Sequence, residues 1–214
     1  MNCSICLENI GRRFNREWIF KDINYTFTSN KIYAVLGPNG SGKSTLFQVL
    51  NSSLVPSKGS IQYIFEEKPV EPEHVYKYLS LAAPYLELIE DFTLIEVIDF
   101  HFKFKNYATG MDRAGIIDLL GMEGSKNKLI KYFSSGMKQR LKLALALCSN
   151  THLLMLDEPT SNLDIQGVEW YLNLIQTFAK NKLTIICSNQ EHEYNFCDEA
   201  ISISDYKQYQ NFKA

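Results

Sequence analysis

Eight consecutive residues, Gly37-Pro38-Asn39-Gly40-Ser41-Gly42-Lys43-Ser44, have the types and spacing of a loop that holds phosphates. They fill every fixed position of the pattern G-x-x-x-x-G-K-[ST]. Glycines let the backbone curl until successive N–H groups converge on one anion, and a helix starting at Lys43 would add its positive N-terminal end. Lys43 would reach the β- and γ-phosphates, and the Ser44 hydroxyl would ligate Mg2+. Thr45 completes the set of candidate nucleotide-phosphate-binding residues that begins at Gly37.

Two acids form the second group. The apolar run Leu153-Leu154-Met155-Leu156 delivers Asp157-Glu158 at its end, and Pro159 follows. In enzymes with such a loop the first acid holds Mg2+, usually through water, and Asp157 fits that role. Glu158 would then lie near the γ-phosphate, placed to polarise the attacking water. The loop alone leaves kinases, GTPases and ATPases open.

The elements that must position these groups read as strand–helix alternation at both ends of the chain. Trp18 and Phe20, then Ile23, Tyr25 and Phe27, alternate with polar neighbours, with one slip of phase between the two sets. The short apolar run 32–36 predicts a buried strand entering the phosphate loop, and 43–50 predicts the helix leaving it. A further strand is expected at 60–65, and 66–73 reads as polar and broken by proline. From 93 the signals turn helical. Thr93 with Glu96 forms a capping box for a helix over 94–104. Helices are also expected over 111–120, stopping at Gly121, and over 135–148. Strands then return at 153–156, 183–187 and 200–203, with helices between them, which specifies an α/β fold with a parallel central sheet.

Composition narrows the classes. The chain has 214 residues, 45% of them hydrophobic, enough for a sizeable core. Its 22 basic and 24 acidic residues give a formal charge of −2, with no electrostatic footprint for nucleic acid. No apolar run approaches the ~20 residues of a membrane-spanning helix, and Met1-Asn2-Cys3-Ser4 lacks the order of a signal peptide, so a cytoplasmic location is expected. The five cysteines, at 3, 6, 148, 187 and 197, are odd in number and scattered. Cys3 and Cys6 lack the second pair a zinc site would need and read as ordinary residues of an N-terminal strand.

Phe133-Ser134-Ser135-Gly136-Met137-Lys138-Gln139-Arg140 resembles the signature of the ABC ATPase family, L-S-G-G-Q followed by a basic residue, Gln and Arg. Ser135 replaces the first glycine and Met137 the glutamine. Ser161-Asn162-Leu163-Asp164 is similar to the family's D-loop. The resemblance covers nearly the whole chain. It implies a single domain with an ATP-binding α/β core of P-loop type, an N-terminal antiparallel β region and a helical subdomain at roughly 85–150. It further implies that Ser134 and Gly136 bind the ATP held by an opposite subunit, in a homodimer or heterodimer, with Mg2+ as cofactor. Phe14 corresponds to the aromatic on which adenine stacks, with Trp18 as the alternative. The family's glutamine before the helical subdomain corresponds to Ala82. Its γ-phosphate histidine corresponds to Gln190, with His192 two residues late. The implied function is an ATP-hydrolysing transporter subunit that drives a separate permease from the cytoplasmic face of the membrane. The stretch Pro84-Tyr85-Leu86 to Phe92 is expected to meet that permease or to be buried core. Two other readings stay open: a regulatory nucleotide-binding protein with little hydrolysis, and a soluble ABC protein acting on the ribosome or on DNA.

Overall fold

The computed structural model describes residues 2–207. Two sheets divide the strands. The first is antiparallel, in the order β2 (Glu17–Thr28), β1 (Cys3–Phe14), β4 (Lys58–Phe65) and β5 (Lys68–Val70). The slip of phase in the sequence is a bulge: Asp22 has a positive φ of 60°, and the β1–β2 register shifts between Ile10↔Ile23 and Arg12↔Phe20. Phe20, Ile23 and Phe27 are thereby all buried. Cys3 and Cys6 lie on opposite faces of β1, three residues apart.

The second sheet is parallel: β6 (Leu79–Ala82), β7 (Leu153–Asp157), β8 (Leu183–Ser188), β3 (Lys31–Leu36) and β9 (Glu199–Ser202). Its central strands are buried on both faces, as the continuous apolar runs required. Helix α1 (Lys43–Leu50) follows β3 and packs Leu46, Phe47, Val49 and Leu50 into the core shared by the two sheets.

Between the strands β6 and β7 stand α2 (Leu94–His101), α3 (Arg113–Leu120) and α4 (Ser135–Leu147). Leu94, Ile98, Ile116, Leu120, Leu141 and Ala144 give them a core of their own. The capping box is formed: Thr93 Oγ1 accepts the Glu96 N–H at 3.3 Å, and Glu96 Oε2 accepts the Thr93 N–H at 2.7 Å. Helix α5 (Ile165–Phe178) and the short α6 (Glu191–Tyr194) complete the α-helices among the described residues.

The structure corrects several boundaries. Helix α2 stops at His101, three residues short of the expected end. Helix α3 starts at Arg113, because Asp112 Oδ1 accepts the Gly115 N–H at 2.7 Å and so caps the helix two residues later than the apolar pattern suggested. The proline-broken stretch contains β5, which is an edge strand where Pro69 is tolerated. Strand β6 was not anticipated.

Candidate functional site

The phosphate loop connects the C-terminal end of β3 to α1. Gly42 caps α1 with a φ of 110°, and a Cβ there would lie 2.4 Å from Ile19 Cγ2. No side chain fits, so the glycine is a steric requirement. The Lys43 ammonium donates to the carbonyls of Gly37 at 2.8 Å and Pro38 at 3.3 Å, which holds it inside the curl of the loop. Ser41 Oγ is buried and has no protein partner. A cleft of about 320 Å³ opens here, lined by Ile19, Asn39, Gly40, Gly42, Lys43, Ser44, Thr45 and Glu158.

Parallel pairing of β7 with β8 and of β8 with β3 brings the two acids to the same end of the sheet. Asp157 is 2% exposed, and burial pushes its carboxyl up to about 6. The Ser44 hydroxyl beside it and the Lys43 ammonium oppose that rise, while Glu158 reinforces it. Asp157 Oδ1 is buried without a hydrogen-bond partner. An orphaned carboxylate oxygen beside a serine hydroxyl suits a hard divalent cation. Among the described residues no cluster of three or more His, Cys, Asp or Glu could hold a metal. Glu158 has a φ of 43° and donates its N–H to Cys187 O at 2.9 Å.

The signature residues lie elsewhere. Ser134 caps α4, its Oγ accepting the Met137 N–H at 3.2 Å. A Cβ on Gly136 would meet Asn162 O at 3.0 Å, so the D-loop packs on the start of α4. Arg140 bridges to Asp164 Oδ1 at 3.4 Å, and Asp164 caps α5 through the Gly167 N–H at 2.8 Å. Together Ser134, Gly136, Asn162 and Asp164 help line a groove of about 630 Å³ whose lining shares no residue with the phosphate-loop cleft. Phe14 is half exposed at the end of β1, with the Arg12 guanidinium 4.6 Å from its ring centre, and it does not line the cleft.

A family model described as ABC transporter matches residues 20–161. The chain belongs to the ABC transporter family of ATP-binding proteins. It is 30% identical over 204 residues to an uncharacterized ABC transporter ATP-binding protein, YybJ, of Bacillus subtilis, covering 92% of this chain and 90% of that one. It is 32% identical over 188 residues to the lantibiotic transport ATP-binding protein SrtF of Streptococcus pyogenes, covering 86% and 78%. The fold is shared with MJ0796, a bacterial ABC transporter cassette solved as a dimer, at a TM-score of 0.77, 21% identity and 93% and 94% coverage.

Within this ABC fold, Ala82 is buried as the last residue of β6, opposite Leu156, and packs in the core with Leu143 and Leu147; it faces no cleft. Three residues on, Tyr85 is about half exposed. Burial pushes its hydroxyl up to about 12, with the Asp157 charge adding to the rise and the Gln48 side chain opposing it. Gln190 is the N-cap of α6, with its N–H on Ser188 Oγ at 2.9 Å. Its neighbour meets the phosphate loop instead, Asn189 Nδ2 donating to Asn39 Oδ1 at 2.9 Å. His192 lies in α6, its Nε2 2.9 Å from Thr160 Oγ1. Asn189, which counting along the sequence did not single out, is brought beside the phosphate loop by the register of β8 with β3.

Proposed function

We propose that the chain, read as one ATPase domain with a helical subdomain at roughly 85–150, is the ATP-hydrolysing subunit of an ABC transporter. It works as a head-to-tail dimer and drives a separate permease from the cytoplasmic face of the membrane. The observation that supports this most is the separation of two half-sites on one chain. The phosphate-loop cleft carries Lys43 and Glu158, and the groove around Ser134 and Gly136 lies outside it. A second copy, homologous or identical, would bring its groove onto the first copy's phosphates.

In this reading the loop N–H groups and Lys43 bind the ATP phosphates. Phe14, half exposed at the end of β1, stacks on the adenine. Ser44 and Asp157 hold Mg2+, which supplies charge neutralisation to the phosphates when bound. Glu158 accepts hydrogen bonds from the attacking water and aims it at the γ-phosphate. Asn189 can donate a neutral hydrogen bond to the same phosphate, and Gln190 steadies the loop from its cap position. The neutral amide at 189 supports the second reading, a regulatory module with slow hydrolysis, and a steady-state ATPase assay separates the two.

Size exclusion with and without Mg-ATP tests the dimer. Glu158→Gln, which keeps the nucleotide contacts and cannot complete hydrolysis, is expected to accumulate a dimer only with ATP. Ser134→Arg is expected to remain a monomer while binding ATP normally. A chain that stays monomeric throughout with full ATPase activity would exclude the composite site.

A further inference from the structure

Glu193, on α6, is fully buried. One carboxylate oxygen, Oε1, accepts the Thr160 N–H at 2.7 Å and also the Thr160 hydroxyl. The other, Oε2, accepts the Ser188 hydroxyl. Thr160 stands two residues after Glu158, and Ser188 is the last residue of β8, immediately before Asn189. On the opposite side of the same turn, the Pro159 carbonyl accepts Gln139 Nε2 at 2.8 Å. Gln139 is buried in α4, five residues after Ser134.

These bonds form a continuous buried polar chain from α4 through Pro159 and Thr160 to Glu193 and Ser188. Glu158 lies within it, its N–H on Cys187 O at 2.9 Å. Its φ of 43° is strained for a residue with a side chain, and such a conformation persists only where the surroundings over-determine it. Gln139, Glu193 and the Cys187 carbonyl are those surroundings. A carboxylate with no access to water and three donors aimed at it also makes a rigid joint, because each bond strengthens where water is excluded.

We propose that Glu193 is a positioning residue for hydrolysis: it clamps the turn after Glu158 to the end of β8, so that Glu158 and Asn189 address the same phosphate. Through Gln139 the clamp also ties that pair to the signature helix. A signature helix held against a partner's nucleotide would therefore set the aim of Glu158 in its own subunit. The role touches neither substrate nor metal, so it acts on turnover rather than on ATP affinity.

The inference rests on the ATPase reading, and the test keeps the two apart. ATPase kinetics, Mg-ATP affinity and thermal midpoint are measured on the full chain for wild type, Glu193→Ala, Glu193→Gln and Ser188→Ala. Glu193→Ala is expected to lower kcat by about tenfold or more with Mg-ATP affinity within about twofold of wild type. Glu193→Gln can still accept from the Thr160 N–H and donate to Ser188, so it is expected to recover kcat to within about threefold. If Glu193→Ala does not fold, Ser188→Ala cuts one end of the clamp and is expected to show the same loss of kcat at unchanged affinity. Wild-type turnover with undiminished kcat in a folded Glu193→Ala or Ser188→Ala overturns the clamp alone, as does an equal loss of affinity and turnover. A wild-type chain that binds Mg-ATP without hydrolysing it overturns the ATPase reading and the clamp with it.

Discussion

Asn189 presents a neutral amide to the phosphate loop, one residue before Gln190, the position where the family resemblance leads one to expect a histidine. The amide can donate a hydrogen bond to a phosphate oxygen but carries no charge at any working pH. Asn189→His is therefore expected to raise kcat with little change in ATP affinity, since the group acts on the reacting phosphate. It should also add a pH dependence near an ordinary histidine pKa of about 6.5. Gln190→His, one residue farther on, is expected to leave both parameters unchanged. Steady-state kinetics on the two variants between about pH 6 and 8 checks this, and a gain at 190 with none at 189 would reverse the assignment. The phosphate loop and the Asp157-Glu158 pair were legible because each is contiguous: the chemistry sits in consecutive letters. The other two positions were not, because they depend on where a strand stops relative to its neighbour. Strand β8 runs to Ser188, paired with Leu36, so the next residue lies level with the start of the phosphate loop. A one-residue error in that stop exchanges the residue that reaches the site for one that does not. The same holds for β6, whose last residue, Ala82, pairs with Leu156 and is buried in the core.

Elements show how local signals won or lost. The capping box before α2 was readable, since its two partners are three residues apart and both are diagnostic. Strand β5 was not: its hairpin turns through Glu66 and Glu67, both with positive φ, and two glutamates give none of the Asn-Gly chemistry that announces such a turn. The end of α2 carries a testable consequence. His101, in its last turn, places Nε2 2.9 Å from Ser149 Oγ, beyond the end of α4. Burial lowers its pKa to about 4, the Lys105 ammonium lowers it further, and a backbone hydrogen bond with Leu145 opposes them. The folded pKa is thus below the unfolded value near 6.5, so the unfolded chain binds more protons between the two. Stability from this group is complete above about pH 6.5 and is lost as pH falls toward 4, by about 2 kcal/mol at most after allowance for partial exposure. His101→Gln keeps a hydrogen-bonding group without titrating. About half of that, about 1 kcal/mol, is lost by pH 5, so the difference in thermal midpoint between pH 7 and pH 5 should shrink in that variant by about 2–4 °C on the size scaling for such a chain. An identical pH response in both proteins would show that His101 does not carry the effect.

At the scale of the whole molecule, the segment after β6 follows α4 along the surface: Pro84, Leu86, Glu87, Leu88 and Glu90 share a groove with Lys138 and Lys142. Lys142 donates to the carbonyls of Ala83 at 3.3 Å and Pro84 at 3.2 Å, and Lys138 pairs with Glu90, so α4 holds the segment at both ends. Its apolar residues divide between two uses. Leu88 and Phe92 pack against the helical core, while Leu86 and Ile89 remain exposed beside Glu87 and Glu90. Exposed apolar side chains rimmed by charge mark an interaction surface more than a core. Any shift of α4 on closing around a partner's nucleotide would carry this segment with it, which is how hydrolysis could reach a permease. No helix among the described residues is long and apolar enough to cross a membrane. The prediction is made with single cysteines at Glu87 and Glu90, in a background where the half-buried Cys6 and Cys197 are serine. Losing the exposed Glu90–Lys138 pair costs little, about 1 kcal/mol or less, so both variants should fold. Each is expected to cross-link to a co-expressed permease in membranes, and the yield should change between ATP-bound and nucleotide-free conditions. Val55→Cys, on an exposed loop that meets β1 through Arg12, serves as the control and should give no adduct. Adducts from Val55→Cys alone, or none from 87 and 90 with ATPase activity intact, would place the permease contact on another face.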